Sequence, residues 1–530
     1  MFRGGVENVT GPSKSVNHSC VDGRLLLLCL FAWVLLRTLM VAGVDLSKDE
    51  AAYWHWSQNL NASYAWLPFA AIWLGDFVGA GSDLFLRLPF VAAGVVSALL
   101  LYHLCRLRGL PPGRAAIAVA AFATSHWIWH TSSFLHPDGF LVPAWLAVLV
   151  CSERASRGDG EGWWWAAGAG AGLAALSKYS GLVLSAGLFA WLLVLAIRGR
   201  RGPLLRAGIP FALLSCPVLI DLLATNFSLP SALNTLSAVA PDSLPVRLGM
   251  FLGAPLFYVS PLLLATLYRG VWKAGRDWRR LTNLTSQTGQ HLLWPGAALI
   301  CCFCFFTLTR GQVKGNWILP ALLGVWPLAF SASWLQSRVF TVVLLAFGIS
   351  MAAIPAIALR WPAVADWLSH SALGSLNSSY TSIVSQWDLP REPTFSWTER
   401  VCEYHGWGDF GRKLDDLIVQ HDLPAPLTIA STEYGLAFGA VRYARLVNAV
   451  ALPGDPRFVR IAAPPAEAVL HLARVEQPPS RGGKRLAIIE RFSKGCEPLR
   501  YAVYETVPEP PATGVGAFSA DGDRADASRR

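Results

Sequence analysis

About eleven apolar runs of near-spanning length punctuate this chain, and no other feature limits its fold so strongly. They fall near 25–44, 84–105, 114–130, 138–152, 163–177, 180–197, 207–225, 246–268, 291–309, 316–334 and 339–358. With 53% hydrophobic residues, 15% charged residues and 23 tryptophans in 530 positions, the chain is too apolar for a water-soluble globule of its size. The reading is an α-helical polytopic membrane protein of about eleven transmembrane helices.

Charge gives the expected orientation. Arg106, Arg108 and Arg114, then Arg198, Arg200, Arg201 and Arg206, then Arg269, Lys273, Arg276, Arg279 and Arg280 fall in loops that alternate to one side. The positive-inside rule makes those loops and the N-terminal segment 1–24 cytoplasmic, which places Asp49, Asp138, Lys178 and Arg310 on the outer side of the cytoplasmic (inner) membrane. The net charge of +10 is thus read as topology and not as nucleic-acid binding. The first run is long and lacks a small-residue cleavage site, so it is expected to stay as a signal anchor.

Beyond about residue 360 the apolar runs shorten, and Pro, Arg, Glu and Asp become frequent. Segment 25–358 is read as the membrane domain with an outer loop at 45–83, 359–507 as a small extracytoplasmic α/β C-terminal domain, and 508–530 as a disordered tail. Phe410 to Gln420 has helical spacing, and Leu427–Ala430, Ala487–Glu490 and Tyr501–Thr506 read as strands. Most of the ten cysteines lie in or beside apolar runs as small hydrophobes, whereas Cys402 and Cys496 share the exterior domain, where a disulfide can form.

The chemistry is sought where charge meets the membrane surface. Asp49 and Glu50, in KDEAAYWHWSQNL, directly follow the first run and precede the interfacial aromatics Tyr53, Trp54 and Trp56. The pair could instead cap the helix that follows, since Ser47 and Asp49 are good N-cap residues. Asp138, after His136 and Pro137, opens the fourth run and is either functional or the N-cap of that span. Lys178 falls in a very short break between two runs, where an ammonium either binds a phosphate or snorkels to the headgroups. Arg310 and Lys314 form a second outer cationic pair, with an anchoring role as the alternative. No His, Cys and Asp cluster has usable metal spacing, and His55 and His103 read as packing residues.

Four strings recur in order: DEAAYWHW, HPDGFLVPAW at His136–Trp145, GLAALSKYSG at Gly172–Gly181, and GQVKGNWILPA at Gly311–Ala321. Together with FLGAPLFYVSPLLL, GWGDFGRKLDDL and ASTEYGLAFGAVRYA, they make the chain resemble the C-type-fold (GT-C) membrane glycosyltransferases. The likeness is to the branch holding the lipid A aminoarabinose transferase and the protein mannosyltransferase-like enzymes. It implies inverting transfer of a sugar from a polyprenyl-phosphate donor to an acceptor glycan, lipid or protein at the outer face. Such a donor has a good leaving group, so the enzyme chiefly needs a base for the acceptor hydroxyl and cations for the departing phosphate.

On that resemblance Asp49 matches the first acid of the loop motif and is the candidate base, and Glu50 orients it or binds the acceptor. Asp138 is similar to the second carboxylate; Lys178, Arg310 and Lys314, read from their own placement, are the candidate substrate-binding cations. Tyr64 matches the start of a donor-site motif, but Tyr64-Ala65-Trp66-Leu67-Pro68-Phe69 lacks the acid and the base that follow it in the family. That departure leaves open a different donor, greater reliance on Lys178 and Arg310, or lost activity. These residues assign no cofactor beyond the polyprenyl-phosphate sugar as donor substrate, and a divalent metal stays open. The rival reading is a transporter or flippase of lipid-linked sugars, which rests on the mid-span acid Asp221.

Overall fold

The computed structural model describes residues 18–57, 82–224, 244–276, 289–309, 315–331, 337–370, 401–431, 434–451, 469–475, 484–491 and 499–506. The membrane domain is built from α1 (His18–Val41), α2 (Lys48–Ser57), α3 (Asp83–Leu107), α4 (Pro112–Ala123), α5 (His126–Thr131), α6 (Asp138–Arg157), α7 (Gly162–Ser177), α8 (Tyr179–Ile197) and α9 (Gly202–Ala224). It continues through α10 (Leu244–Val259), α11 (Pro261–Arg276), α12 (Gln290–Leu308), α13 (Trp326–Phe330) and α14 (Arg338–Arg360). Six helices among the described residues, α3, α6, α8, α9 over Gly202–Ile220, α12 and α14, are long and apolar enough to cross a membrane. Their shared core holds Leu101, Phe122, Trp127, Trp145, Trp164, Leu188 and Trp326. Apolar residues such as Leu27, Phe31, Leu213 and Val339 cover the outside, as suits a multi-pass protein whose solvent is lipid.

Three of the expected runs are not single helices. Run 114–130 divides into α4 and α5, because the Ser125 hydroxyl caps a new helix by accepting from Ile128 N at 3.4 Å. Run 246–268 breaks where Ser260 adopts φ +73° immediately before Pro261, so α10 and α11 replace one span. Run 316–334 becomes two short 3-10 turns, Gly315–Trp317 and Leu319–Leu322, followed by α13, with Pro320 and Pro327 inside it.

After α14 come α15 (Pro362–His370) and then α16 (Trp407–Gln420), β1 (Leu427–Ala430), α17 (Tyr434–Tyr443), β2 (Val447–Ala451), β3 (Val469–Arg474), β4 (Lys484–Arg491) and β5 (Leu499–Thr506). The sheet order is β2-β1-β3-β5-β4. β1 runs parallel to β2 and β3, whereas β5 is antiparallel to β3 and β4. Helix α16 carries Trp407, Phe410, Leu414, Leu417 and Ile418 on one stripe, and Phe410 meets Tyr501 edge-on at 5.4 Å. The expected helix and three strands of this domain are present; α17, β2 and β3 were not anticipated.

One core joins this sheet to the membrane domain. Leu46, Ala51, Ala52 and Trp56 around α2, and Leu86 and Phe90 of α3, belong to the same buried cluster as Phe410, Phe438 and Val503. Helix α2 therefore lies between the bundle and the C-terminal domain, with His55 against Phe438 at 5.2 Å.

Candidate active site

Helix α2 begins with a reciprocal cap. Ser47 Oγ accepts from Glu50 N at 3.3 Å, and Glu50 Oε2 accepts from Ser47 N at 3.0 Å, the two-way bonding that an S-x-x-E string encodes. Glu50 is only 1% exposed, and its carboxylate is gripped by Arg87, with Nε on Oε1 at 2.9 Å and Nη2 on Oε2 at 2.8 Å. Leu135 N also donates to Oε1, at 3.1 Å. The remaining Arg87 donors reach the carbonyls of Val41, Val44 and Asp45 at 3.1, 2.9 and 2.8 Å. Glu50 is thus enclosed, and with Arg87 it ties α2 to the end of α1 and the start of α3. Asp49, one residue earlier on the helix, is exposed. Of the two adjacent acids, Asp49 is the one that solvent or a substrate can reach.

The second group forms where three separated motifs meet. Asp138 is completely buried at the first turn of α6, and its side chain makes no capping bond, so the N-cap reading does not hold. Lys178 Nζ donates to Asp138 Oδ1 at 2.7 Å, while Trp127 Nε1 donates to Oδ2 at 3.2 Å and Asn316 Nδ2 approaches the same oxygen at 3.5 Å. A buried carboxylate with one ammonium and two neutral donors is a paired charge and not an orphan. Lys178 is the single extended residue, φ −166° and ψ 149°, between α7 and α8. The turn is so tight that a Cβ at Gly181 would stand 2.1 Å from the Ala174 carbonyl oxygen, so only glycine lets the two helices return on each other.

Electrostatics bring the two groups into one neighbourhood. Burial pushes the Tyr53 phenol of α2 well up, and the negative charges of Asp49, Asp138 and Glu50 push it further. Desolvation drives His136 down to about 3, with Asp138 and Asp49 opposing. One tyrosine and one histidine therefore feel the acids of both α2 and α6. The arrangement is chemically suited to deprotonating a hydroxyl at an exposed carboxylate beside a cation that can take an anionic leaving group.

Residues 63–221 match the family model described as dolichyl-phosphate-mannose-protein mannosyltransferase. Lipid A galacturonosyltransferase RgtD of Rhizobium johnstonii is 30% identical over 183 residues, which cover 32% of this chain and only 38% of that relative's length. The apo structure of ArnT from Cupriavidus metallidurans superposes with a TM-score of 0.57 at 16% identity, over 92% of this chain and 98% of that one. The same protein bound to undecaprenyl phosphate gives 0.55 at 14% identity, over 93% and 100%. The fold is that of the C-type membrane glycosyltransferases.

Within that C-type fold, Asp49, Glu50, Asp138 and Lys178 occupy the end of the bundle that carries the C-terminal domain. Tyr64, Arg310 and Lys314 lie outside the described residues, as do Ala65 to Phe69. Among the described residues no three His, Cys, Asp or Glu side chains are grouped to hold a metal. Asp221 falls within α9, but its side chain is not among those described.

Sequence reasoning missed three residues of this site, and a fourth charged group near one of them. Arg87 and Trp127 sit inside apolar runs where hydropathy hides them, although a lone arginine in a membrane helix is itself a signal for a buried acid. Asn316 lay within the quoted GQVKGNWILPA string but was not singled out. Arg247 of α10 is 7% exposed, its Nε has no hydrogen-bond partner among the described residues, and it lies one turn before Phe251, which packs on Ile318 next to the Asn316 turn.

Proposed function

We propose that this protein is an inverting glycosyltransferase that moves a sugar from a polyprenyl-phosphate carrier to an acceptor hydroxyl at the outer face of the cytoplasmic membrane. The convergence of Asp138, Lys178 and Asn316 beside the α2 acids carries this reading. Asp49 removes the acceptor proton. The freed oxygen attacks the anomeric carbon opposite the phosphate, the carbon–oxygen bond to phosphate breaks with its electron pair, and the configuration inverts. Lys178, held by Asp138, faces the departing phosphate, and Arg247, Arg310 and Lys314 are further cations for it. The N-terminal segment is placed on the cytoplasmic side and the C-terminal domain outside, a reading supported by the arginine-rich loops under the positive-inside rule.

The named relative makes lipid A the first acceptor to test and a uronic acid the first sugar, with pentose and hexose donors beside it. Purified protein is incubated with each polyprenyl-phosphate sugar and lipid A, and the product is weighed by mass spectrometry. Lipid A heavier by one sugar supports the reading. Unmodified acceptors in lipid A and in whole-membrane extract, with flipping of labelled donor across vesicles, would favour the transporter instead.

A further inference from the structure

The approach to α2, which carries Asp49, and the start of α3 are fastened together by one pair of residues in the C-terminal domain. Tyr443, the last residue of α17, accepts from Leu46 N at 2.6 Å through its hydroxyl and donates the same hydroxyl to Asp83 Oδ2 at 2.5 Å. Leu46 stands just before α2, and Asp83 opens α3, so a single phenol oxygen joins the start and the end of the 45–83 stretch. The preceding Arg442 donates Nε and Nη2 to Asp83 Oδ1 at 3.1 and 2.7 Å, and its guanidinium lies 4.5 Å from the centre of the Trp54 ring on α2. Burial and then the charges of Asp83 and Asp45 push the Tyr443 phenol upward, so it keeps the proton that it donates.

Neighbouring contacts reinforce the same geometry. Asp45 Oδ2 accepts from Trp407 N at 2.8 Å, and Lys48 Nζ pairs with Glu403 Oε1 at 2.9 Å, immediately before Asp49. The membrane domain fixes α2 through Glu50 and Arg87, and the C-terminal domain fixes it through Tyr443 on Leu46 and Arg442 against Trp54. A carboxylate serving as a base must sit within hydrogen-bond reach of the acceptor hydroxyl, and an error near 1 Å is costly. We propose that Arg442 and Tyr443 are positioning residues that set the placement of Asp49, so that the C-terminal domain acts in the transfer step through α2.

This rests on the role given to Asp49, and the test separates the two. In full-length protein, Tyr443→Phe removes only the bridging oxygen, and Asp83→Asn weakens the same junction from the other side. Each is expected to lower kcat roughly ten- to a hundredfold while donor KM stays within about twofold, with the double variant no worse than the poorer single one. An Asp49→Cys reporter gives a readout that needs no turnover: its reaction with a membrane-impermeant maleimide should change rate several-fold when Tyr443→Phe is added. A lower melting temperature with kcat per folded molecule unchanged would overturn the proposal, as would an unaltered labelling rate. If Asp49→Asn proves fully active, the base assignment fails, and the labelling rate still decides whether Tyr443 places α2.

Discussion

Glu50 and Arg87 form a bidentate ion pair sealed from solvent, the two side chains being 1% and 0% exposed. The pair connects a ten-residue helix at the rim to a membrane-spanning helix. Two desolvated charges are tolerated here because every strong donor of Arg87 and both oxygens of Glu50 are used.

Breaking that pair from one side should therefore be worse than removing it. Glu50→Gln or Arg87→Met leaves one charge buried without its partner, an expected loss of about 3–5 kcal/mol in stability. The combination Glu50→Gln with Arg87→Met should recover part of it. Thermal unfolding in detergent checks this: single variants that melt like the wild type would show that the pair contributes little.

The bond between Lys178 and Asp138 changes what a lysine substitution can report. With Asp138 completely buried, Lys178→Met alone strands a carboxylate and should lower stability as well as donor binding. Asp138→Asn together with Lys178→Met removes both charges, and that double variant should fold close to normally yet bind undecaprenyl phosphate at least about tenfold more weakly, a loss of roughly 1.4 kcal/mol. Undiminished phosphate binding by the folded double variant would make the pair purely structural.

Much of this was legible beforehand because charge inside an apolar run is rare and therefore informative. The break at Lys178, the acids at the rim and the polar domain after residue 360 all stand out against lipid-soluble sequence. The pairing was not legible: Lys178 was expected to face a phosphate or the headgroups, and its described partner is Asp138, 40 positions earlier. Glu50 likewise gave no local sign that its counter-ion is Arg87, since that contact depends on how α3 packs against α2. Hydropathy also merged α10 with α11 because it averages over the left-handed Ser260 and Pro261 that separate them.

Acid should loosen the junction between α2 and the C-terminal domain. Desolvation against that domain lowers His55 to about 4, so the folded protein holds it neutral while the unfolded chain titrates near the ordinary value of about 6.5. Between those values the unfolded state binds more protons, and stability falls as pH drops through the window. His136, lowered to about 3, acts in the same direction. The melting temperature should drop from pH 7.5 to pH 5, and His55→Phe should reduce that drop; an unchanged pH slope in the variant would remove His55 from the account.

Cys402 is disulfide-bonded in the C-terminal domain, while its expected partner Cys496 lies outside the described residues. Peptide mapping of non-reduced protein should find the 402–496 cross-link, and a reporter fused after residue 510 should score as extracytoplasmic. Free thiol at Cys496, or a cytoplasmic reporter, would contradict the pairing or the orientation.

The most direct test of the central claim is the turnover of Asp49→Asn with a donor and acceptor that the wild-type protein joins. The amide keeps the size of the carboxylate and removes its basicity. Because Ser47 and Glu50 make the α2 cap and Glu50 holds Arg87, folding should be preserved. Transfer is predicted to fall by about a hundredfold or more, as for loss of a general base, with the melting temperature unchanged. Near-normal turnover in folded Asp49→Asn would contradict the account.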